Sequence, residues 1–249
     1  MSNLYEFIVK RYPNRSEMGV QAAAEVRRAI VSLLAEKDSI RMIFAAAPSQ
    51  NEFLAALAHD PAIDFTRIEA LHMDEYVGLR ADAPQGFGNF LRDRLFGLVP
   101  FKAVHYIDGG TKGIEAECAR YGSLVKDGVD IVCMGIGENG HIAFNDPHVA
   151  DFNDPLPIKK VNLDDVCRMQ QVHDGCFASL DEVPTHALTL TIPTLMKARY
   201  HFCMVPAATK ADAVYRTVYG PISAACPATV LRLCEHAVLY VDSDSGSRL

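Results

Sequence analysis

At 249 residues, 49% hydrophobic and 22% charged, the chain has the size and make-up of a soluble α/β protein with one sizeable core. Its net charge of −7, with no long basic block, argues against nucleic acid or an anionic membrane surface as a partner, while a small phosphorylated ligand needs only a few local cations and backbone amides. No stretch reaches the ~20 apolar residues of a membrane span, the N-terminal segment lacks a signal-peptide core, and seven dispersed cysteines without a C-x-x-C pair read as reduced thiols, so a cytoplasmic location is expected.

In chain order, residues 16–36 predict a helix, with Ser16 as cap and Val20, Ala23, Ala24, Val26, Ile30, Leu33 and Leu34 on one face. "IRMIFAAA" (40–47) reads as a buried strand, and Pro48-Ser-Gln-Asn begins a helix. "RIEALHMDEY" (67–76) is an apolar strand ending in two carboxylates. Residues 89–98 and 111–125 read as helices, with a strand at 103–108 between them. "VDIVCMG" (129–135), "HALTLTI" (186–192), "RYHFCMV" (199–205) and "HAVLYVD" (236–242) are further strands, and 209–219 is a helix. The proline-rich stretch 147–157 reads as a surface loop, and residues 243–249 as a loose tail. Short strands alternating with helices predict a doubly wound, mostly parallel sheet covered on both faces, with residues 1–249 as a single domain. In such sheets ligands bind outside the carboxyl ends of the strands. Three strand ends carry unusual chemistry: 45–51, 74–76 and 135–146.

The third of these contains Gly135, Gly137 and Gly140 in a G-x-G-x-x-G pattern, the mark of a dinucleotide site. Its context fails. Pro147 stops any helix soon after Gly140, and Lys159 and Lys160 stand where a ribose-binding acid is required. What remains is a glycine loop that lets backbone approach a ligand and displays Asn139, His141, Asn145 and Asp146. His141 is the natural proton-transfer group near neutral pH. A carboxylate at a strand end has its pKa raised when removed from water, which suits a base; adjacent strand residues face opposite ways, so only one of Asp74 and Glu75 can face the site. The helix start with Ala47, Ser49 and Gln50 offers backbone N–H groups and a hydroxyl to an anion, although on sequence alone an ordinary capped helix is the favoured explanation. Lys210, opening the helix after a strand, offers a cation, although solvated lysines are commoner.

With "LHMDEYVGL" (71–79) and "GIGENGHIAFNDP" (135–147), the chain resembles the glucosamine-6-phosphate deaminase/isomerase family, related to the 6-phosphogluconolactonases. The likeness runs through "VPTHALTLTIPTL" (183–195) to the Lys210 helix start. It implies a doubly wound α/β domain working without a metal or organic cofactor, which turns an amino-hexose 6-phosphate into a ketohexose 6-phosphate and ammonia. By position, Asp74 resembles the base between C2 and C1. His141 resembles the ring-opening group, oriented by residues 139 and 146, and Lys210 resembles a phosphate ligand. Ala47, Ser49, Gln50 and Gly137 fall in the implied substrate-binding loops. Position 139 is asparagine where aspartate is common, and position 146 is aspartate where glutamate is usual. "AAAPSQ" replaces the family's glycine- and threonine-rich phosphate loop. The family's phosphate-binding arginine has no clean counterpart near residues 167–177, where Arg168 and His173 are the candidates. The substrate can thus be glucosamine 6-phosphate or galactosamine 6-phosphate. The alternatives are a lactone hydrolase of the related branch and a sugar-phosphate sensor without turnover. Family members occur as monomers and hexamers, so a homo-oligomer is compatible with the sequence, and no allosteric activation is expected.

Overall fold

The computed structural model describes Tyr5 and residues 7–249. Among the described residues ten strands are formed: β1 (Ile8–Arg11), β2 (Ile40–Phe44), β3 (Ile68–His72), β4 (Asp74–Tyr76), β5 (Ala103–His105), β6 (Ile131–Met134), β7 (Ile158–Asn162), β8 (His186–Leu190), β9 (Tyr200–Val205) and β10 (Ala237–Val241). Seven of them build a wholly parallel sheet in the order β1-β10-β9-β6-β2-β3-β5, and three build a small antiparallel sheet, β4-β8-β7. The doubly wound fold is as expected from the sequence. Alternation along β2 explains why: Met42 and Phe44 enter one apolar core, while Ile43 enters the other, so each face of the sheet is covered.

Helices α1 (Arg15–Glu36), α2 (Asn51–Ala58) and α3 (Phe87–Leu91) precede α4 (Ile114–Val125). Then come α5 (Asp165–His173), α6 (Ile192–Met196) and α7 (Ala211–Tyr219). Helix α1 starts one residue earlier than its sequence reading, because Asn14 and not Ser16 caps it: the Asn14 Oδ1 accepts from the Glu17 amide at 2.9 Å. Val20, placed on the apolar face by the sequence, is 50% exposed; Met18, Gly19 and Ala22 fill that face instead.

Two other expectations are corrected. Residues 67–76 are not one strand. The chain leaves the parallel sheet at Met73, and Asp74–Tyr76 pairs with β8 in the small sheet. "HALTLTI" likewise belongs to that small sheet. The end of the chain is folded rather than loose: Ser245 is fully buried, and its amide donates to Asp242 Oδ1 at 2.8 Å. The loop at 147–157 contains no strand or helix, as read. All seven cysteines are unpaired. Among the described residues, no helix is long and apolar enough to cross a membrane.

Candidate active site

A cleft of about 790 Å³, including space open to solvent, lies at the carboxyl end of the parallel sheet. The segments that follow β2, β3, β6 and β9 form its walls, with the start of α1 and one face of α5.

The glycine loop after β6 holds His141. The imidazole packs on Gly137 so closely that a Cβ there would lie 2.1 Å from the ring Cε1 and 2.3 Å from Nδ1. Only glycine fits. Gly140 is required for a different reason: its φ is +91°, and a Cβ would meet the Cys226 sulfur at 2.5 Å. The His141 Nδ1 lies 2.9 Å from both Asn139 Oδ1 and Asp146 Oδ1. Asn139 Nδ2 donates to the same Asp146 oxygen at 2.8 Å, and the His141 amide donates to Asn139 Oδ1 at 2.9 Å. Two acceptors facing Nδ1 keep the proton there, which leaves the Nε2 of the neutral ring as a lone pair without a partner among the described residues. Asp146 is fully buried, which by itself would raise its pKa. The hydrogen bond and charge of His141 and the Asn139 amide outweigh burial and hold it below the usual carboxylate range.

Asn145, displayed by the same motif, turns inward. Its Nδ2 donates to the carbonyls of Ile142 and Leu190 at 3.0 and 2.9 Å, which ties the loop to the end of β8. One possible metal ligand set occurs here, because His141, Asp146 and Cys167 bring nitrogen, oxygen and sulfur atoms within 4.8 Å of one another. The nitrogen and the oxygen are hydrogen-bonded to each other at 2.9 Å.

Asp74 and Glu75 behave oppositely. Asp74 lines the cleft, is 6% exposed, and its carboxylate accepts no hydrogen bond among the described residues. Burial, with the charge of Glu75 adding to it, pushes its pKa well above the usual carboxylate range. Glu75 points the other way and accepts three backbone amides, from Tyr76 at 2.9 Å, Phe87 at 3.0 Å and Gly88 at 2.9 Å, which caps α3. One carboxylate is left free for chemistry and one is fixed as structure. Where the chain breaks at Met73, buried His72 spans the gap: its Nδ1 donates to the Asp74 carbonyl at 2.8 Å, and its Nε2 accepts from the Ile107 amide at 2.9 Å. Desolvation brings its pKa down to about 4, so the ring is neutral and serves as a bridge.

Ala47, Ser49, Gln50 and Lys210 line the rest of the cleft, and Gly137 lies against the His141 ring. Lys210 is 6% exposed and its ammonium has no hydrogen-bond or carboxylate partner among the described residues; burial lowers its pKa, against the pull of Asp174 and Glu138. Gln50 is a wall residue, its Nε2 donating to the Met204 carbonyl at 3.1 Å. Two sequence candidates lie outside the cleft. The Arg168 guanidinium turns back onto the carbonyls of Leu180 and Val183, at 2.7 and 3.0 Å, and pairs with Asp165. His173 is largely exposed, 3.6 Å from Glu138. Both sit on α5, a helix absent from the sequence reading, and helical geometry turns them away while Gln170, Gln171 and Asp174 face in. Sequence reasoning also missed Arg15. It lines the cleft but lies far from the motifs in sequence, and no pattern marks it.

The model of the glucosamine-6-phosphate isomerases/6-phosphogluconolactonase family matches residues 13–240. The chain belongs to this family. A glucosamine-6-phosphate deaminase of an Exiguobacterium species is 36% identical over 188 residues, which is 75% of this chain and 72% of that one. One from Bacillus thuringiensis is 37% identical over 186 residues, 74% of this chain and 69% of the other. A solved structure of a monomeric glucosamine-6-phosphate deaminase is 28% identical, with a TM-score of 0.89 over 98% of this chain and 100% of that one. A 6-phosphogluconolactonase from Thermotoga maritima, 20% identical, shares the fold at a TM-score of 0.76 over 95% of this chain and 100% of its own. Within this family, the cleft combines a free, buried carboxylate and a histidine with a defined tautomer.

Proposed function

We propose that this family member opens the ring of an amino-hexose 6-phosphate, moves a proton between C2 and C1, and releases ammonia to leave a ketohexose 6-phosphate. The observation that carries this reading is the pairing of Asp74, free of hydrogen bonds and starved of water, with the unpartnered Nε2 of His141 in one cleft. The relatives named as glucosamine-6-phosphate deaminases support it.

Each group has one task. His141, with its proton held on Nδ1 by Asn139 and Asp146, takes the anomeric hydroxyl proton at Nε2 and opens the ring. Asp146 then stabilises the imidazolium, and the imidazolium returns its proton to the ring oxygen. Asp74 removes the C2 proton of the open aldose and delivers it to C1 on the same face of the enolamine. The resulting imine at C2 is hydrolysed to the ketone and ammonia. A base with a raised pKa is well matched to a weakly acidic C–H bond, and each such group contributes about 10²–10⁴-fold in rate. Lys210, Ser49 and the helix start at Pro48 hold the phosphate. The chain acts as one unit, residues 1–249, and its unpaired thiols and phosphorylated substrate suit the cytoplasm.

The test is ammonia release by purified protein from glucosamine 6-phosphate and galactosamine 6-phosphate, with 6-phosphogluconolactone hydrolysis assayed beside it. Ammonia from either sugar is expected. Lactone hydrolysis without ammonia release would replace this reading with the hydrolase, and tight sugar-phosphate binding without turnover would replace it with a sensor.

A further inference from the structure

The charges around the cleft leave the phosphate short of a partner. Two anions line it, Asp74 and Asp174, while α5 contributes the neutral Gln170 and Gln171 where a cation is expected from the family. A phosphate monoester near neutral pH carries close to two negative charges. Lys210 alone does not balance these.

A second cation, itself ion-paired with Glu52 through Nε at 2.7 Å, lines the same cleft. Arg15 is the first residue of α1, and its Nη2 donates to the Pro48 carbonyl at 2.7 Å and to Glu52 Oε2 at 2.8 Å. The guanidinium is thereby fixed against the turn that carries Ser49. Nη1 donates to nothing among the described residues, so one edge of the fork remains available. Its position is also informative. The start of a 22-residue helix is electropositive, so a cation there is disfavoured by the helix itself, and Glu52 and the Pro48 carbonyl hold it in place. Opposite it, the buried Lys210 ammonium is the unpartnered polar group directed into the same space.

We propose that Arg15 is the second cation of the phosphate subsite, acting with Lys210 in the role that Arg168 does not fill. This inference rests on the reading of a phosphorylated substrate. Fixed in advance by Pro48 and Glu52, the planar guanidinium presents Nη1 to a phosphate oxygen at little entropic cost. Glu52 orients the fork without covering its open edge.

Calorimetric titration of the full chain with glucosamine 6-phosphate, glucosamine and inorganic phosphate tests it, with thermal melts to verify folding. Arg15→Gln should weaken glucosamine 6-phosphate and inorganic phosphate about tenfold to hundredfold, and leave glucosamine within about twofold. Arg15→Lys should recover part of the loss. Glu52→Gln removes the charge of the same bridge between α1 and α2 but keeps the cation, and phosphate affinity should be retained or improved. Equal weakening by Glu52→Gln and Arg15→Gln would make Arg15 a structural bridge and overturn the proposal. So would equal weakening of glucosamine and its phosphate, or wild-type protein that binds no phosphate at all. Intact phosphate binding with no ammonia release would instead sink the proposed reaction and leave Arg15 in place.

Discussion

The His141 end of the cleft is made from one short segment, Asn139 to Asp146, in which the Nδ1 side of the imidazole is held locally and Nε2 is left open. The opposite end draws on four separate places in the chain: Arg15, the turn at Ala47–Gln50, the inward face of α5, and Lys210. The first depends on steric room and loop geometry, and tolerates almost no change within the segment. The second depends on the whole sheet holding distant residues in register, so a lost cation on one element can be answered from another. Proton transfer demands fixed distances, whereas holding a dianion demands charge within reach.

This contrast can be broken at its strongest point first. Asp74→Asn should lower kcat by about 10²–10⁴-fold, measured by ammonia release. The same change should raise Tm at neutral pH. A carboxyl whose folded pKa is raised adds stability below its unfolded pKa of 3.8 and loses it as pH climbs through the folded value, and asparagine has no such loss. In the wild type, kcat/KM should rise with pH through a value above 3.8, as Asp74 ionises. A variant with full activity would remove Asp74 from the base role.

Acid should next weaken the fold that carries both ends. His72 and His201 are both buried with pKa values near 4, against 6.5 when unfolded, so the unfolded chain takes up more protons between those values. Each should withdraw about 3 kcal/mol of stability as pH falls from 6.5 to 4, seen in urea melts across that window. His72→Gln should flatten this dependence by about half.

Gly137→Ala should cost about 100-fold in kcat, since the new Cβ displaces the His141 ring, while substrate affinity changes little. A matching loss of phosphate affinity would show that the two ends are not separable. The smallest effect is expected at Ala207, which lines the anion end with a φ of +86°. Ala207→Gly should stabilise the fold by about 1 kcal/mol by relieving a conformation that alanine disfavours, with activity near that of the wild type.

The same division governs what the sequence discloses. The His141 segment is legible because its donors, acceptors and glycines sit side by side, and Pro147 rules out a dinucleotide helix. Asp74 is legible as a carboxylate that ends an apolar run. The break at Met73 is not, because residues on both sides of it are buried and no change of period marks the passage from one sheet to another. Helix α5 is hidden by its polarity, so Arg168 and His173 could be placed near the site but not oriented. Arg15 falls just outside the helix read from the sequence, and its distance from Lys210 along the chain hides their shared cleft.

One strand has a consequence for how the chemistry keeps its measure. Asp74 pairs with Thr189 of β8, and the His141 loop is tied through Asn145 to the Leu190 carbonyl, the next residue along. Asp74 and His141 are therefore both referenced to adjacent residues of β8, although the segments that carry them leave β3 and β6 of the large sheet. A change at Thr189 or Leu190 of that one strand reaches both proton-transfer candidates at once.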